Sequence, residues 1–230
     1  MIDRSEIPAY RKVQNAAKVA LAEIGSLVTP GMSESYITEL SVAALERQGV
    51  TETWYYAVPA YVLVGSRSIL SMSGRDYIPS VDTFIEDGDV YTVDLSPLVD
   101  HRWGDCARTF HVGRGEPPHA IAHGVEIERR LHLELARWAT PDATFDALYR
   151  HMNARIVEFG YENLDFAGNL GHTIELTRDE RIYIEAGNLT RLGDVSLFTF
   201  EPHIRRPESS IGVKHENIYF FDSAGRLTEL

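Results

Sequence analysis

The 230-residue sequence has a single cysteine, Cys106, so no intrachain disulfide can form and a reducing compartment is expected. It has no run of about 18 apolar residues, the length that suggests a transmembrane helix. The charged N-terminal segment MIDRSEIPAYRK also has no apolar stretch of signal-peptide length. We therefore expect a cytoplasmic protein that does not enter membranes.

Basic residues are scarce as well, since 22 Lys and Arg face 34 Asp and Glu, a net charge of −12. Such a chain has no general electrostatic reason to bind nucleic acid or an anionic membrane, but it attracts metal ions and cationic substrates. The 44% hydrophobic content excludes a disordered chain. Because no linker-like segment divides the sequence, we expect one domain over residues 1–230.

The hydrophobic pattern predicts both helices and strands. Apolar residues recur at helical spacing over 7–27, and Ser33 resembles the N-cap of a second helix that ends before Gly49. Short β-branched and aromatic runs such as VYTVDLSP and NIYFFD read as strands. The segment 29–33 (TPGMS) recurs as 140–144 (TPDAT), and the helices that follow end at Gly49 and Gly160, again 111 residues apart. This offset indicates two similar α/β halves about a pseudo-two-fold axis.

Several acidic residues lie in or beside the predicted strands. A carboxylate in an apolar strand is costly unless it meets a metal ion or another cation. Hard oxygen ligands with one imidazole are the donor set of a site for Mn, Co, Fe or Zn. The alternative for any single residue is a strand-end cap or a surface charge, but the set as a whole favours a di-metal site. Its members are Asp94, Asp105, His172, Glu201 and Glu216.

This ordered set resembles the metal centre of the pita-bread metallopeptidases, which include methionine aminopeptidase, prolidase and the Xaa-Pro aminopeptidases (the creatinase and aminopeptidase superfamily). The matching segments are GDVYTVDLSP, GDCARTF, GHTIEL, FEPHI and KHENIYFFD. The resemblance covers essentially the whole chain. It implies an α+β fold in which two pseudo-symmetric α/β halves surround a curved antiparallel sheet, and, by family analogy, a homodimer.

The resemblance also implies roles for the five residues. Asp94 would chelate one metal ion, Asp105 and Glu216 would bridge two divalent ions (Mn, Fe, Co or Zn), and His172 and Glu201 would complete the second site. Two such cations lower the pKa of a shared water, which yields a hydroxide nucleophile near neutral pH. Glu201 would shuttle the proton of that water.

The sequence departs from the family at the two histidines that bind substrate in active peptidases. Their positions are occupied by Asp76, eighteen residues before Asp94, and by Asp179, seven residues after His172. An ionised aspartate donates no hydrogen bond to a carbonyl or an oxyanion, but it accepts one from an ammonium or guanidinium group. We therefore predict that Asp76 and Asp179 have a catalytic or substrate-binding role with a cationic substrate, and that ordinary peptides are poor substrates.

Two more residues are candidates for substrate binding. His203, in the segment FEPHI, either projects into the cleft or ends a strand, and Arg108, in the segment DCART, either contacts substrate or braces a carboxylate. The favoured function is hydrolysis of an amide or related C–N bond in a small molecule or short peptide-like substrate by a metal-bridged hydroxide. The alternatives are a true Xaa-Pro-type aminopeptidase, a non-catalytic binding module and an iron-dependent redox enzyme.

Overall fold

The computed structural model describes residues 2–230, which form four α-helices and twelve short strands with antiparallel pairing. The helices are α1 (Ile7–Leu27), α2 (Glu34–Arg47), α3 (His119–Trp138) and α4 (Phe145–Glu158). No helix in this range is long and apolar enough to cross a membrane. The predicted α+β class, with antiparallel sheet and packed helices, is confirmed.

The first half contains strands β1 to β6. Their bounds are β1 Glu52–Thr53, β2 Ala60–Val64, β3 Val90–Leu95, β4 Pro97–Val99, β5 Arg102–Trp103 and β6 Cys106–His111. The order β2-β3-β6 forms the principal sheet of this half, and β1-β4-β5 forms a smaller one. Helices α1 and α2 pack on the β2-β3-β6 sheet, because their apolar faces share one buried cluster with its strands. This packing fixes β3, which contains Asp94, and β6, which begins directly after Asp105.

The second half contains strands β7 to β12. Their bounds are β7 Glu162–Asn163, β8 Phe198–Phe200, β9 His203–Arg205, β10 Gly212–Lys214, β11 Asn217–Phe221 and β12 Leu227–Glu229. They form sheets of order β12-β11-β8 and β10-β9-β7. Helices α3 and α4 share a second buried cluster with these strands. An isolated bridge between Arg108 and His215 connects the halves beside the strand ends.

The two halves repeat the same helical unit, as the sequence repeat predicts. Helices α2 and α4 each have 14 residues, and both their first and last residues are 111 positions apart. The N-caps also correspond, since Ser33 Oγ accepts from the Tyr36 N–H at 3.1 Å and Thr144 Oγ1 accepts from the Ala147 N–H at 3.1 Å. After each helix a glycine, Gly49 or Gly160, has φ = +79°, a conformation that side chains with a Cβ disfavour. The pseudo-symmetric architecture is thus present in the structure.

Candidate metal centre

Three carboxylates meet where the two halves of the fold join. Asp94 belongs to β3, Asp105 immediately precedes β6, and Glu216 immediately precedes β11. One oxygen from each lies within 4.8 Å of the others. The backbone of Asp105 is held by Gln14 of α1, whose amide donates to the Asp105 carbonyl at 2.7 Å and accepts from its N–H at 2.8 Å. Two of the three carboxylates therefore sit at strand starts, and the third projects from a central strand.

Glu216 is the most buried of the three carboxylates. Its side chain is 1% exposed, and neither oxygen has a hydrogen-bond partner within residues 2–230. Burial and the neighbouring Asp105 raise the pKa of Glu216 well above its usual range. Burial likewise raises the pKa of Asp105 to about 6. A buried carboxylate without a hydrogen-bond partner, such as Glu216, next to a second buried carboxylate fits a divalent metal ion, because the ion satisfies several oxygens at once.

His172 and Glu201 lie beside this cluster. His172 Nε2 is 3.4 Å from Asp105 Oδ2 and 3.8 Å from Glu201 Oε1. The other ring nitrogen, Nδ1, lies 2.9 Å from the Thr173 carbonyl, an arrangement in which Nδ1–H donates. That tautomer leaves the Nε2 lone pair directed toward the carboxylates, as metal-binding histidines require. All five residues predicted from the sequence are thus brought together, and their roles as ligands stay a prediction.

Lys214 is also part of the cluster, and the sequence reasoning missed it. Its ammonium donates to Asp94 Oδ2 at 2.7 Å and to Glu201 Oε2 at 2.8 Å, and it lies 3.6 Å from Glu216 Oε2. Burial alone would lower the pKa of Lys214, but these carboxylates together raise it well above its usual range. The available signal was its position two residues before Glu216, since alternate residues of an extended chain share a face.

Asp94 and Asp105 line a cavity of about 200 Å³. Aromatic side chains form part of its wall, among them Trp54, Tyr55 and Tyr61 from the first half and Tyr183 from the second. The Tyr61 hydroxyl is buried and has no partner within the described residues, and burial raises its pKa above the usual tyrosine value. The cavity thus combines apolar surface with a few unpaired polar groups, the usual character of small-molecule sites.

Arg181 contributes the cavity's one guanidinium. Its carbon Cζ lies 5.0 Å from the ring centroid of Trp54, 5.5 Å from that of Tyr183 and 5.9 Å from that of Tyr55. Its Nε donates to the Arg178 carbonyl at 2.9 Å, and no carboxylate within residues 2–230 forms an ion pair with it. The guanidinium is therefore held in place by aromatic rings while its charge has no acidic partner. The sequence reasoning did not identify this residue.

The candidates His203 and Arg108 have different locations. The His203 ring lines the cavity, its Nε2 lies 2.7 Å from the Ser68 carbonyl, and burial lowers its pKa to about 4. Arg108 does not line the cavity, and it donates to the Glu216 carbonyl at 2.6 Å and to Asn217 Oδ1 at 2.7 Å. Arg108 thus holds the backbone of Glu216, which favours the predicted alternative of bracing a carboxylate over a contact with substrate.

Asp76 and Asp179, expected to flank the metal centre, both lie outside the cavity. Asp76 is exposed, although the neighbouring Tyr77 is buried and its hydroxyl bonds to the backbone of Val62. The Asp179 side chain is 85% exposed and lies 3.5 Å from Arg178 Nε. Water solvates both carboxylates in these positions, so the geometry gives neither a contact with a substrate in the cavity.

A divalent ion fits the carboxylates of Asp94, Asp105 and Glu216. One oxygen of each lies within 4.8 Å of the others, and the Glu216 oxygens have no hydrogen-bond partner within residues 2–230. His172 and Glu201 are near enough to join such a site with small movements. One face of the cluster is open to the cavity through Asp94, Asp105 and Glu201. The arrangement can bring a metal ion, a water molecule and a small ligand together.

Comparison with known proteins identifies the family. The model of metallopeptidase family M24 matches residues 8–222. Methionine aminopeptidase A of Synechocystis sp. is 23% identical over 209 residues, which cover 89% of this chain and 80% of that protein. The probable dipeptidase PepE of Mycobacterium tuberculosis is 25% identical over 227 residues, which cover 98% of this chain and 57% of that protein.

Solved structures share the fold over the full chain. Prolidase from Pyrococcus furiosus superposes with a TM-score of 0.83 at 24% identity, covering 99% of this chain and 64% of that one. Methionine aminopeptidase from Thermotoga maritima gives a TM-score of 0.78 at 17% identity, covering 99% of this chain and 97% of that one. This chain thus spans about three fifths of the prolidase and dipeptidase relatives. Because the family model matches nearly all of it, the chain belongs to metallopeptidase family M24, a family of metal-dependent hydrolases.

Proposed function

We propose that this protein hydrolyses the amide C–N bond of a small, carboxylate-bearing substrate, a dipeptide being the simplest member of that class. The observation that carries the proposal is that both Glu216 oxygens are buried without a hydrogen-bond partner within residues 2–230. They are grouped with Asp94 and Asp105, which line a cavity of about 200 Å³. A divalent ion held by these carboxylates would act as a Lewis acid and lower the pKa of a nearby water.

Glu201 is suited to receive a proton from such a water. Burial opposes ionisation, but Lys214 and His172 outweigh it and lower the pKa of Glu201 below its usual value. The carboxylate is therefore ionised near neutral pH, as a general base requires. Lys214 also donates to Glu201 Oε2 at 2.8 Å, which limits the motion of the carboxylate. A base fixed in this way needs little reorganisation during reaction.

Arg181 supports the choice of a carboxylate-bearing substrate. Its guanidinium lines the cavity, has no acidic partner in the described chain and is held against aromatic rings. A guanidinium binds a carboxylate in a bidentate, charge-assisted manner. The names of two relatives, a probable dipeptidase and an Xaa-Pro dipeptidase of Pyrococcus furiosus, agree with short peptides. The cationic substrate expected from Asp76 and Asp179 has less support, because neither residue lines the cavity.

The proposal is tested with matched dipeptides on the full chain in the presence of Mn²⁺, Zn²⁺, Co²⁺ or Fe²⁺. Each dipeptide is compared with its C-terminal amide and with its N-acetyl derivative, and kcat/KM is measured by amino-acid release. We expect hydrolysis of at least one free dipeptide and at least about a tenfold loss for its amide, since a charged hydrogen bond is worth about 1.5–3 kcal/mol. Equal rates on the acid and the amide would refute the role of the carboxylate. No metal-dependent release from any dipeptide would refute the substrate class.

A further inference from the structure

Lys214 lies among the residues that the family resemblance assigns to two metal ions. We infer that its ammonium takes one of the two cation positions, so that the centre binds a single divalent ion. The inference concerns the same site as the proposed function, but it depends on the metal centre alone and not on the identity of the substrate.

The ammonium occupies oxygens that a second divalent ion would need. Asp94 Oδ2 and Glu201 Oε2 each accept from Lys214 at 2.7–2.8 Å, a distance typical of charge-assisted hydrogen bonds. Asp94 and Glu201 come from different halves of the fold, so the ammonium links the two sides of the cluster just as a bridging cation would. A second dication beside it would have to share these carboxylates with a positive charge a few ångströms away.

The chain holds Lys214 in this position firmly. The side chain is 16% exposed, and its residue closes strand β10, which pairs with β9. The backbone N–H of Lys214 donates to Thr109 Oγ1 at 2.8 Å, and that hydroxyl donates to the Lys214 carbonyl at 3.1 Å. These bonds fix the backbone from which the Lys214 side chain extends. Moving the ammonium away from Asp94 and Glu201 would break two charge-assisted hydrogen bonds.

The remaining ligands are grouped for one ion. Asp94, Asp105 and Glu216 each have one oxygen within 4.8 Å of the others. Within residues 2–230, neither His172 nor Glu201 belongs to a group of three ligand atoms that meets this distance. His172 Nε2 is 3.4 Å from Asp105 but 3.8 Å from Glu201, whose other oxygen is taken by Lys214. The resemblance divides these donor atoms between two metal ions. We therefore expect them to bind one divalent ion and one ammonium instead.

The stoichiometry of Mn²⁺ binding to the metal-free full chain tests the inference. Mn²⁺ alone is titrated by calorimetry, and the saturated sample is checked by elemental analysis and by electron paramagnetic resonance. We expect one Mn²⁺ per chain and an isolated Mn²⁺ spectrum. Lys214→Met should bind two Mn²⁺ and give the spectrum of an exchange-coupled pair, whereas Lys214→Arg, which keeps the charge, should bind one. Lys214→Gln provides a second neutral variant if Lys214→Met does not fold.

Each result distinguishes this inference from the proposed function. Two Mn²⁺ per wild-type chain with a coupled spectrum would overturn the inference and leave the metal-dependent hydrolase intact. One Mn²⁺ in both the wild type and the folded neutral variants would also overturn it, because the charge of Lys214 would then not exclude a second ion. No Mn²⁺ binding at all would overturn the inference, and hydrolysis with Zn²⁺, Co²⁺ or Fe²⁺ would then decide the proposed function. One Mn²⁺ per chain without dipeptide hydrolysis in the presence of any of the four metal ions would overturn only the function.

Discussion

Asp105 and Glu216 are equivalent residues of the two halves, 111 positions apart and each directly before a strand, β6 and β11. The next residues, Cys106 and Asn217, are 111 positions apart as well, and their side chains lie 3.8 Å from each other. The pseudo-two-fold axis therefore passes near the carboxylate pair. Each half of the fold supplies one carboxylate of this pair, so neither half could form the pair alone.

Replacing either carboxylate by its amide should abolish tight metal binding. We expect Glu216→Gln and Asp105→Asn to weaken Mn²⁺ binding by more than about 100-fold, since even residues that only support metal ligands are worth 10–100-fold. At 100 times the wild-type dissociation constant, Mn²⁺ should stabilise the wild type by about 2.7 kcal/mol and these variants by less than about 0.4 kcal/mol. Calorimetry and thermal unfolding with and without Mn²⁺ measure both effects.

The exposed Glu116 offers a matched control, because Glu116→Gln changes the net charge equally but lies in a surface loop. It should bind Mn²⁺ as the wild type does. The metal-free Glu216→Gln protein should unfold at no lower temperature than the metal-free wild type. It loses a buried carboxylate that has no hydrogen-bond partner within residues 2–230, while Lys214 keeps its hydrogen bonds to Asp94 and Glu201. Unchanged Mn²⁺ affinity in Glu216→Gln would contradict the assignment of the site.

The fold was predictable from local features of the sequence. The periodicity over 7–27 and the Ser33 cap predict helices that the structure contains at Ile7–Leu27 and Glu34–Arg47. The 111-residue repeat predicts the equal lengths of α2 and α4, because the same cap and stop signals flank both helices. These signals act within a few residues, so a single sequence shows them.

The site was predictable only in part. Carboxylates in apolar strands indicated a cluster. The spacing of Lys214 from Glu216 is only a partial signal, because its contacts with Asp94 and Glu201 depend on the long-range pairing of β10. Asp76 and Asp179 were placed near the cleft by spacing from the ligands. Both instead lie exposed, Asp76 in a turn and Asp179 in the short 3-10 helix Arg178–Glu180, where spacing from the ligands does not determine the direction of a side chain. The homodimer stays a prediction.

Arg181 should determine preference for a free carboxylate. We expect Arg181→Gln to reduce kcat/KM for a dipeptide by about 10- to 150-fold, because a charged hydrogen bond is lost, and to change the rate on the C-terminal amide much less. Arg178→Gln is the matched control, since Arg178 belongs to the same segment but does not line the cavity. Equal losses on acid and amide substrates in Arg181→Gln would contradict carboxylate binding.

The two N-caps should contribute equally and independently to stability. Ser33→Ala and Thr144→Ala each remove one side-chain acceptor at equivalent helix starts, and each should cost about 1 kcal/mol of unfolding free energy. The helices belong to separate buried clusters, so the double variant should show the sum within about 0.5 kcal/mol. Urea unfolding measures this, with the exposed Thr51→Ala as control. A double variant with the same free energy of unfolding as either single variant would contradict independent contributions from the two caps.

Glu128 should make the protein less stable as pH rises. Its side chain is 1% exposed, neither oxygen has a hydrogen-bond partner in the part of the chain that the structure describes, and burial raises its pKa well above the usual value. The folded state therefore keeps a proton that the unfolded chain releases above about pH 4.3, so unfolding becomes easier by up to about 1.4 kcal/mol per pH unit. Glu128→Gln cannot ionise and should gain stability over the wild type progressively from pH 5 to 8. A difference that does not vary with pH would contradict the raised pKa.

His132 should have the opposite effect at acidic pH. Burial lowers its pKa to about 3, so the folded state holds the ring neutral while the unfolded chain binds a proton below about pH 6.5. Stability should thus fall as pH drops from 6.5 toward 3. His132→Gln should lose less stability than the wild type between pH 6.5 and 3, as measured by urea unfolding. An equal loss in both proteins would show that other groups cause it.

The central claim is that Asp94, Asp105 and Glu216 hold a catalytic metal ion, and a crystal structure of the Zn²⁺-loaded protein tests it most directly. Anomalous diffraction on both sides of the zinc absorption edge locates the ion independently of its surroundings. The account predicts a peak about 2.0–2.2 Å from oxygens of all three carboxylates, the usual zinc–carboxylate distance. A fully loaded crystal in which the only zinc peaks lie elsewhere on the protein would contradict it.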